Sequence, residues 1–230
     1  MSALIETLIS QGHLRTPRII EAFRRVPRFR FIPKEGRSAE DLREQSEINA
    51  PLPIGFGQTI SQPLTVAMML EMLAPKRGDK ILDVGSGSGW QAGLLAHIVG
   101  AKGKIYALEV IPKLKEFGEK NVKALGFRNV QFILGDGWKG HPVAAPYDRI
   151  IVAAAALEIP EALKAQLKVG GVMVIPVGSP YTCTMTRLEK ISEDDFEITE
   201  EPGFSFVPLV KAQSVKPQLQ AKNLWKSKIK

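Results

Sequence analysis

Apolar residues follow one pattern up to about residue 80 and a different one beyond it. In residues 1–30 they fall at helical spacing, interrupted near Gly12 and Pro17, which predicts a cap of two helices. The segment 64–73, LTVAMMLEML, repeats the helical pattern and predicts a third helix. Residues 31–63 contain seven glycines and prolines, too many for regular structure, so we expect a long ordered loop there. A long loop in a compact domain is usually functional.

Beyond residue 79, short apolar runs alternate with helical segments. The runs are dense in isoleucine, valine and leucine, which is typical of strands buried on both faces. They cover residues 80–85, 104–110, 130–134, 148–155 and 171–178. Helical patterns that end at glycine separate them, the last over residues 159–171. This repetition predicts an α/β fold with a doubly wound, mostly parallel sheet. Two alternating segments, 181–190 and 196–209, then predict antiparallel C-terminal strands.

The formal net charge of +7 is concentrated at the C-terminus. Six lysines follow Leu209 with no acidic residue among them, which leaves +1 for residues 1–210. A lysine-rich tail is more often solvated than bound to nucleic acid, so we expect no nucleic-acid partner. Cys183 is the one cysteine, which excludes a disulfide framework and a Cys-based metal cluster within the chain and favours the cytoplasm. No secretion signal or membrane-spanning run is evident, so we expect no membrane partner.

The first predicted strand leads into a glycine-rich turn, DVGSGSGW, at residues 83–90. In a doubly wound sheet the ligand lies at the carboxyl ends of the strands, where this turn is expected. Gly85, Gly87 and Gly89 allow the backbone to approach a ligand that a Cβ atom would exclude. Taken alone they are ambiguous, because Gly87, Gly89 and Ala92 also match a permissive dinucleotide fingerprint, G-x-G-x-x-A.

Acidic residues near the ends of the first three strands resolve this ambiguity. Asp83 precedes the turn, Glu109 ends the second strand, and Asp136 follows the third within GDGW. A carboxylate after the second strand suits a ribose diol, and Asp136 is placed to accept from an adenine amino group. This set resembles the class I S-adenosylmethionine-dependent methyltransferases over residues 80–178. The resemblance implies a Rossmann-like fold and S-adenosyl-L-methionine as the cofactor.

The residues favour a methyl acceptor that is already nucleophilic at neutral pH. Enzymes that methylate base amines commonly carry an Asn/Asp-Pro-Pro-aromatic turn after strand four, where this chain has IVAAAALEIP. Cys183 alternates with threonines, so we expect a packed thiol and not a nucleophile. His13, His97 and His141 lie in contexts typical of structural or solvated histidines, so no general base is evident. A carboxylate is ionised without help and needs mainly positioning, which leaves it as the favoured acceptor.

The segment PLPIGFGQTISQP (51–63), with GDGW and FSFVPLV further on, closely resembles the protein-L-isoaspartate (D-aspartate) O-methyltransferases. This resemblance extends over nearly the whole chain. It implies methyl transfer to the α-carboxylate of L-isoaspartyl residues, and to the side-chain carboxylate of D-aspartyl residues, in damaged proteins and peptides. The methyl ester then closes to a succinimide, which starts repair. We expect a monomer with a single methyltransferase domain at 1–210 and a basic tail at 211–230. Within the domain, we expect N-terminal helices and a substrate and cofactor loop (1–79), a cofactor-binding core (80–178) and C-terminal strands (179–210).

By the same resemblance, Ser61 is the catalytic hydroxyl, and no metal is expected. The residues expected to bind the cofactor are Gln58, Thr59, Ile60, Asp83, Gly85, Ser86, Gly87, Gly89, Glu109, Val110, Asp136 and Gly137. The residues expected to bind the substrate are Ile54, Gly55, Gly57, Val207, Pro208 and Leu209. A structural alternative for Thr59 and Ser61 is that they cap the helix that starts near Pro63.

Two other functions stay open on the sequence. One is an RNA or small-molecule methyltransferase that uses the basic tail as an electrostatic hook, which salt-sensitive RNA binding would reveal. The other is an adenosine-binding interaction module, which would bind the cofactor without turnover. The chain also departs from many relatives of the resembled family, because Glu47 stands near Asn49 where they carry an aromatic residue.

Overall fold

The computed structural model describes residues 2–214, and the predicted N-terminal helices form within it. Helix α1 (Ala3–Ser10) begins after Ser2, whose side chain accepts a hydrogen bond from a first-turn amide. Helix α2 (Pro17–Arg25) begins with proline, which lacks an amide hydrogen that the first turn would leave unused. Both helix starts are thus readable from local sequence.

Residues 31–63 contain more regular structure than the sequence predicts. Helix α3 (Ala39–Ser46) begins with a capping box, in which the side chains of Ser38 and Asp41 each accept a hydrogen bond from the other residue's amide. The expectation of an irregular loop was wrong here, because this reciprocal cap satisfies the first turn of a short helix.

A β-hairpin also forms in this segment, where the loop expectation was wrong a second time. Strands β1 (Leu52–Gly55) and β2 (Gln58–Ile60) pair in antiparallel fashion. The turn residues Phe56 and Gly57 have φ angles of 56° and 71°. Positive φ at both central residues is typical of tight hairpin turns, although a bulky residue such as Phe rarely adopts it.

The rest of the described chain forms one seven-stranded sheet with its connecting helices. The elements are α4 (Pro63–Leu73), β3 (Lys80–Val84), α5 (Trp90–Val99), β4 (Lys104–Glu109), α6 (Pro112–Ala124), β5 (Val130–Leu134), β6 (Tyr147–Val152), α7 (Glu161–Gln166), β7 (Leu167–Ser179), β8 (Thr182–Lys190) and β9 (Phe196–Phe204). The spatial order is β5-β4-β3-β6-β7-β8-β9. Pairings from β5 to β7 are parallel, and those of β8 are antiparallel. The predicted fold class, an α/β doubly wound and mostly parallel sheet with antiparallel C-terminal strands, is confirmed.

The boundary between α7 and β7 differs from the sequence prediction. The helix predicted to extend over residues 159–171 ends at Gln166, and β7 begins at the next residue. β7 pairs with β6 at Leu167 and again from Val172, with a register shift between them. Gly170 has a φ of 76° within this bulge. This glycine therefore serves an irregular strand and does not end a helix.

Two hydrophobic cores lie on opposite faces of the sheet. On β3, Ile81 belongs to the core that includes the N-terminal helices, whereas Leu82 packs into the second core with Leu163 of α7. Burial on both faces explains why the parallel strands show no alternation. Because β4 and β6 flank β3 and the chain order reverses there, a crevice is expected at the carboxyl end of β3.

Three smaller observations bear on the sequence predictions. Within residues 2–214, no helix is long and apolar enough to cross a membrane, and no group of three or more His, Cys, Asp or Glu side chains could hold a metal ion. Cys183 is buried, and its Sγ atom donates to the carbonyl of Phe204 at 3.3 Å, as expected for a packed thiol. Of the predicted basic tail, residues 215–230 lie outside the described residues.

Candidate functional site

The glycine-rich turn joins β3 to α5 at the carboxyl edge of the sheet. The amides of Gly85 and Ser86 both donate to the carbonyl of Leu108, at 2.9 and 3.1 Å, which anchors the turn to β4. Gly89 has a φ of 87°, and a Cβ atom there would lie 2.8 Å from the carbonyl oxygen of Gly118 on α6. Gly89 thus allows the turn to pack against α6, and it does not face the crevice.

The carboxylate of Glu109 lies at the end of β4, buried and held by backbone amides. Its Oε2 accepts from the Gly87 amide at 2.8 Å, and its Oε1 accepts from the amides of Val110 and Ile111, both at 2.9 Å. Burial raises the pKa of this carboxyl, and the three amide hydrogen bonds oppose that effect. Since a carboxylate has roughly four acceptor positions, one on Oε2 stays available to a ligand hydroxyl.

Asp83 and Ser86 contribute polar atoms that have no partner among the described residues. Asp83 is fully buried, and its Oδ1 accepts from Gln91 Nε2 at 2.7 Å. Its Oδ2 and the Oγ of Ser86 make no hydrogen bond. Burial raises the pKa of Asp83 to about 7, with the nearby charge of Glu109 as a smaller cause. Buried polar atoms without partners are rare in proteins, and Ser86 faces the crevice, so a polar ligand would suit it.

A cofactor cavity opens between the glycine-rich turn, the end of β4 and the hairpin. The predicted residues that line it are Ile54, Gln58, Thr59, Ile60, Ser61, Gly85, Ser86, Gly87, Glu109, Val110, Gly137, Val207, Pro208 and Leu209. The lining residues that the sequence did not suggest are Val66, Val84, Ser88, Trp90, Gln91, Leu108, Ile111, Leu114, Gly135, Ala153, Ala154 and Val210. Ile111 and Leu114 could have been found from the sequence, because they lie two and five residues after Glu109, the acid expected to bind the ribose.

Five predicted site residues do not line this cavity, namely Gly55, Gly57, Asp83, Gly89 and Asp136. The carboxylate of Asp136 instead accepts from two backbone amides, that of Trp138 at 2.9 Å and that of Ala212 at 3.0 Å. In this structure the carboxylate stabilises the turn that follows β5 and holds Ala212, near the end of the described chain, against that turn. Its contact with an adenine amino group stays a prediction.

A second cavity, the acceptor groove, adjoins the first on its outer side. It is lined by the start of α4, the β7–β8 turn and the segment that follows β9. The residues that line both cavities are Thr59, Ser61, Ala153, Val207 and Pro208. The residues that line only the groove are Pro51, Gln62, Thr65, Pro180, Tyr181, Ser205 and Phe206. Of the residues predicted to bind the substrate, Val207 and Pro208 line the groove, whereas Ile54, Gly55, Gly57 and Leu209 do not. Ser61 therefore lies where a ligand in one cavity would meet a ligand in the other.

Ser61 does not cap α4. The residue at the helix start is Gln62, whose side chain makes no capping hydrogen bond. The amide of Leu64 is instead satisfied by Asn49 Oδ1 at 3.1 Å. The structural alternative for Ser61 therefore has no support from the geometry of this helix, and its hydroxyl is available at the junction of the two cavities.

The segment after β9 forms one wall of both cavities. Ala155 donates its amide to the carbonyl of Val207 at 2.8 Å and accepts from the amide of Leu209 at 2.7 Å. Trp138 Nε1 donates to the carbonyl of Leu209 at 2.8 Å. The predicted substrate residues 207–209 are thus fixed by hydrogen bonds against the segments that follow β5 and β6.

The doubly wound sheet, the glycine-rich turn and the buried acid at the end of β4 define a class I S-adenosylmethionine-dependent methyltransferase. The sequence model of one family of this class, protein-L-isoaspartate (D-aspartate) O-methyltransferase, matches residues 1–214. The chain belongs to this family. The predictions of family, enzyme class and cofactor are confirmed.

Individual relatives support the assignment of the chain to this family. A protein-L-isoaspartate O-methyltransferase from Methanopyrus kandleri is 45% identical over 208 residues, which cover 90% of this chain and 89% of the relative. One from Ignicoccus hospitalis is 46% identical over 211 residues, covering 91% of this chain and 97% of the relative. A structure from Plasmodium falciparum, assigned to the same activity and solved with S-adenosyl-L-homocysteine, has a TM-score of 0.79 and 25% identity, and covers 91% of this chain and 98% of that one.

Proposed function

We propose that this chain transfers a methyl group from S-adenosyl-L-methionine to the free α-carboxylate of L-isoaspartyl residues, with Ser61 as the catalytic hydroxyl. The observation that carries the assignment of Ser61 is its position at the junction of the cofactor cavity and the acceptor groove. An O–H at that point can donate to one carboxylate oxygen and hold the carboxylate toward the methyl donor.

The cofactor cavity suits an adenosine. Glu109 keeps one acceptor position for a ribose hydroxyl, and Ser86 offers a hydroxyl without a protein partner. Ile111 and Leu114 supply apolar surface for a planar base. When bound, S-adenosyl-L-methionine supplies a methyl group on a positively charged sulfur, which a carboxylate can accept without a general base.

The acceptor groove suits a peptide whose sequence varies. Its walls include residues 205–208, the β7–β8 turn and the start of α4, and none of the residues that line it carries a charge. Such a groove can hold the main chain of many damaged proteins. Methylation turns the carboxylate into an ester with a good leaving group, and the neighbouring backbone nitrogen then closes the succinimide without further help.

The same proposal includes a second acceptor, the oligomeric state, the location in the cell and the partners that are not expected. D-aspartyl side-chain carboxylates are second acceptors, the protein acts as a monomer in the cytoplasm, and nucleic acid and membranes are not partners. Residues 1–210 act as one catalytic unit. The single cysteine supports the cytoplasmic location, and the concentration of positive charge beyond residue 210 supports the absence of a nucleic-acid partner.

The test compares two peptides that differ only in L-isoaspartate or L-aspartate at one position, using labelled cofactor and scoring base-labile methyl ester. Label on the isoaspartyl peptide alone supports the assigned acceptor. Ser61→Ala should lower kcat about 100-fold with the dissociation constant of S-adenosyl-L-homocysteine unchanged. Ser10→Ala, the same change at an exposed helix end, is the control and should behave as the native protein.

Two results would count against this proposal. Equal loss of turnover and cofactor affinity in Ser61→Ala would mean that the hydroxyl serves the fold or the cofactor. Absence of label on both peptides, with cofactor binding intact, would redirect the search to RNA or small-molecule acceptors.

A further inference from the structure

Arg28 is a buried arginine that no step of the methyl transfer uses. It begins a short 3-10 turn at Arg28–Phe31, just after α2, and only 5% of its surface is exposed. It forms no ion pair with a carboxylate among the described residues. Burial lowers the pKa of its guanidinium to about 10, so it stays charged at neutral pH. A buried charge without a counter-ion is costly unless many hydrogen bonds satisfy it.

The hydrogen bonds of Arg28 come from its two terminal nitrogens and all go to backbone carbonyls on the two sides of the hairpin, whereas Nε has no partner among the described residues. On the side that enters it, Nη1 donates to Ile48 at 3.0 Å and Nη2 donates to Ala50 at 2.7 Å. On the side that leaves it, Nη2 donates to Ser61 at 3.1 Å. Longer contacts of 3.5 Å reach the carbonyls of Ser46 and Ile60. One planar group thus joins both ends of the hairpin.

Arg28 also contacts the cofactor side of the site. Its guanidinium carbon lies 5.6 Å from the ring centroid of Trp90, which starts α5 and lines the cofactor cavity. Trp90 Nε1 donates to the carbonyl of Val26, two residues before Arg28. The segment that contains Val26 and Arg28 therefore contacts two parts of the site. One is helix α5, behind the cofactor cavity, and the other is the backbone of Ser61, where the cofactor cavity meets the acceptor groove.

We infer that Arg28 is a positioning residue, which fixes the Ser61 backbone relative to the cofactor cavity so that the Ser61 hydroxyl meets the acceptor. This inference rests on the proposed role of Ser61. The fork of an arginine can donate to several carbonyls at fixed angles, whereas a lysine has a single nitrogen and cannot reach the same set. Arg28→Lys should therefore keep the positive charge at this position but no longer fix the Ser61 backbone in place.

A control exists in Arg149, a second buried arginine, although its Nε lies 3.8 Å from Asp79 Oδ2, a counter-ion that Arg28 lacks within residues 2–214. Its side chain donates to the carbonyls of Leu73 and Asp148, at 3.0 and 2.7 Å, and it lines neither cavity. Arg28→Lys and Arg149→Lys are compared at a temperature where both bind S-adenosyl-L-homocysteine. With saturating cofactor and isoaspartyl peptide, Arg28→Lys should lose about 10- to 100-fold in kcat, with unchanged affinity for S-adenosyl-L-homocysteine. Arg149→Lys should stay within about twofold of the native enzyme.

A double-variant cycle separates this inference from the proposal on which it rests. If Arg28 acts through Ser61, adding Arg28→Lys to Ser61→Ala should lower kcat no further than Ser61→Ala alone. Multiplicative losses, or a loss in Arg28→Lys no larger than in Arg149→Lys, would overturn the inference. A Ser61→Ala variant with native turnover would instead refute the role of Ser61 itself. Should Arg28→Lys fail to bind S-adenosyl-L-homocysteine, Arg28→Gln takes its place under the same criteria.

Discussion

Asp83→Asn should remove a pH-dependent part of the stability of this protein. Asp83 is fully buried at the end of β3, and its pKa is raised to about 7 by burial. Asparagine has nearly the same shape, and its side-chain oxygen can still accept the hydrogen bond from Gln91. The substitution therefore changes the titration of this site more than its packing.

The sign and size of the effect follow from the two protonation equilibria. In the unfolded chain an aspartate loses its proton near pH 4, whereas the folded protein keeps the proton on Asp83 up to about pH 7. Between these values the folded state binds more protons, so the free energy of unfolding falls as the pH rises. At about 1.4 kcal/mol for each pH unit, the loss attributable to Asp83 between about pH 5 and pH 7 is about 3 kcal/mol.

The assay is urea unfolding of the native protein and Asp83→Asn without cofactor, at a series of pH values between about 5 and 8. The other ionisable groups are common to both proteins, so the difference between their curves isolates Asp83. As the pH rises across this range, the free energy of unfolding of the variant should increase relative to that of the native protein by about 3 kcal/mol in total. Parallel curves would contradict the raised pKa, because they would show that Asp83 ionises at an ordinary pKa in the folded protein.

Two further predictions concern packing. Gly89→Ala should lower the free energy of unfolding by about 2 kcal/mol or more, because its Cβ would meet the Gly118 carbonyl, and it should weaken S-adenosyl-L-homocysteine binding. Gly126→Ala is the control, since Gly126 has a similar φ of 82° but nothing within 4 Å of the added atom, and equal losses in the two variants would contradict the contact. Cys183 should react with a thiol reagent far more slowly in the folded protein than in urea, because burial removes access and raises the pKa of the thiol. Equal rates would show that the thiol is accessible.

Much of the fold could be predicted because its signals are local. Strands buried on both faces carry continuous apolar runs, and prolines at the first turn mark helix starts. The hairpin could not be found in this way, because Phe56 adopts a left-handed conformation that only the surrounding structure can impose. The start of β7 was hidden for a similar reason, since Gly170 is compatible with both a helix end and a strand bulge.

The candidate site was predictable where its residues are neighbours in sequence. The glycine-rich turn and Glu109 are examples, because both follow directly from strand ends. The packing of Gly89 against α6 and the use of Asp136 by the end of the described chain depend on contacts between distant segments. Arg28 carries no motif, and only the position of its guanidinium among the hairpin carbonyls reveals a role.

The wall that residues 207–209 supply also links activity to the completion of synthesis. A ribosome makes the chain from its N-terminus, and β9, the last strand of the sheet within residues 2–214, ends at Phe204. A product terminated just after that strand would contain all seven described strands of the sheet and the whole glycine-rich turn. It would lack the segment that bonds to Ala155 and closes both cavities. Prematurely terminated copies would therefore carry the sequence of the whole described sheet while lacking an enclosed place for methyl transfer.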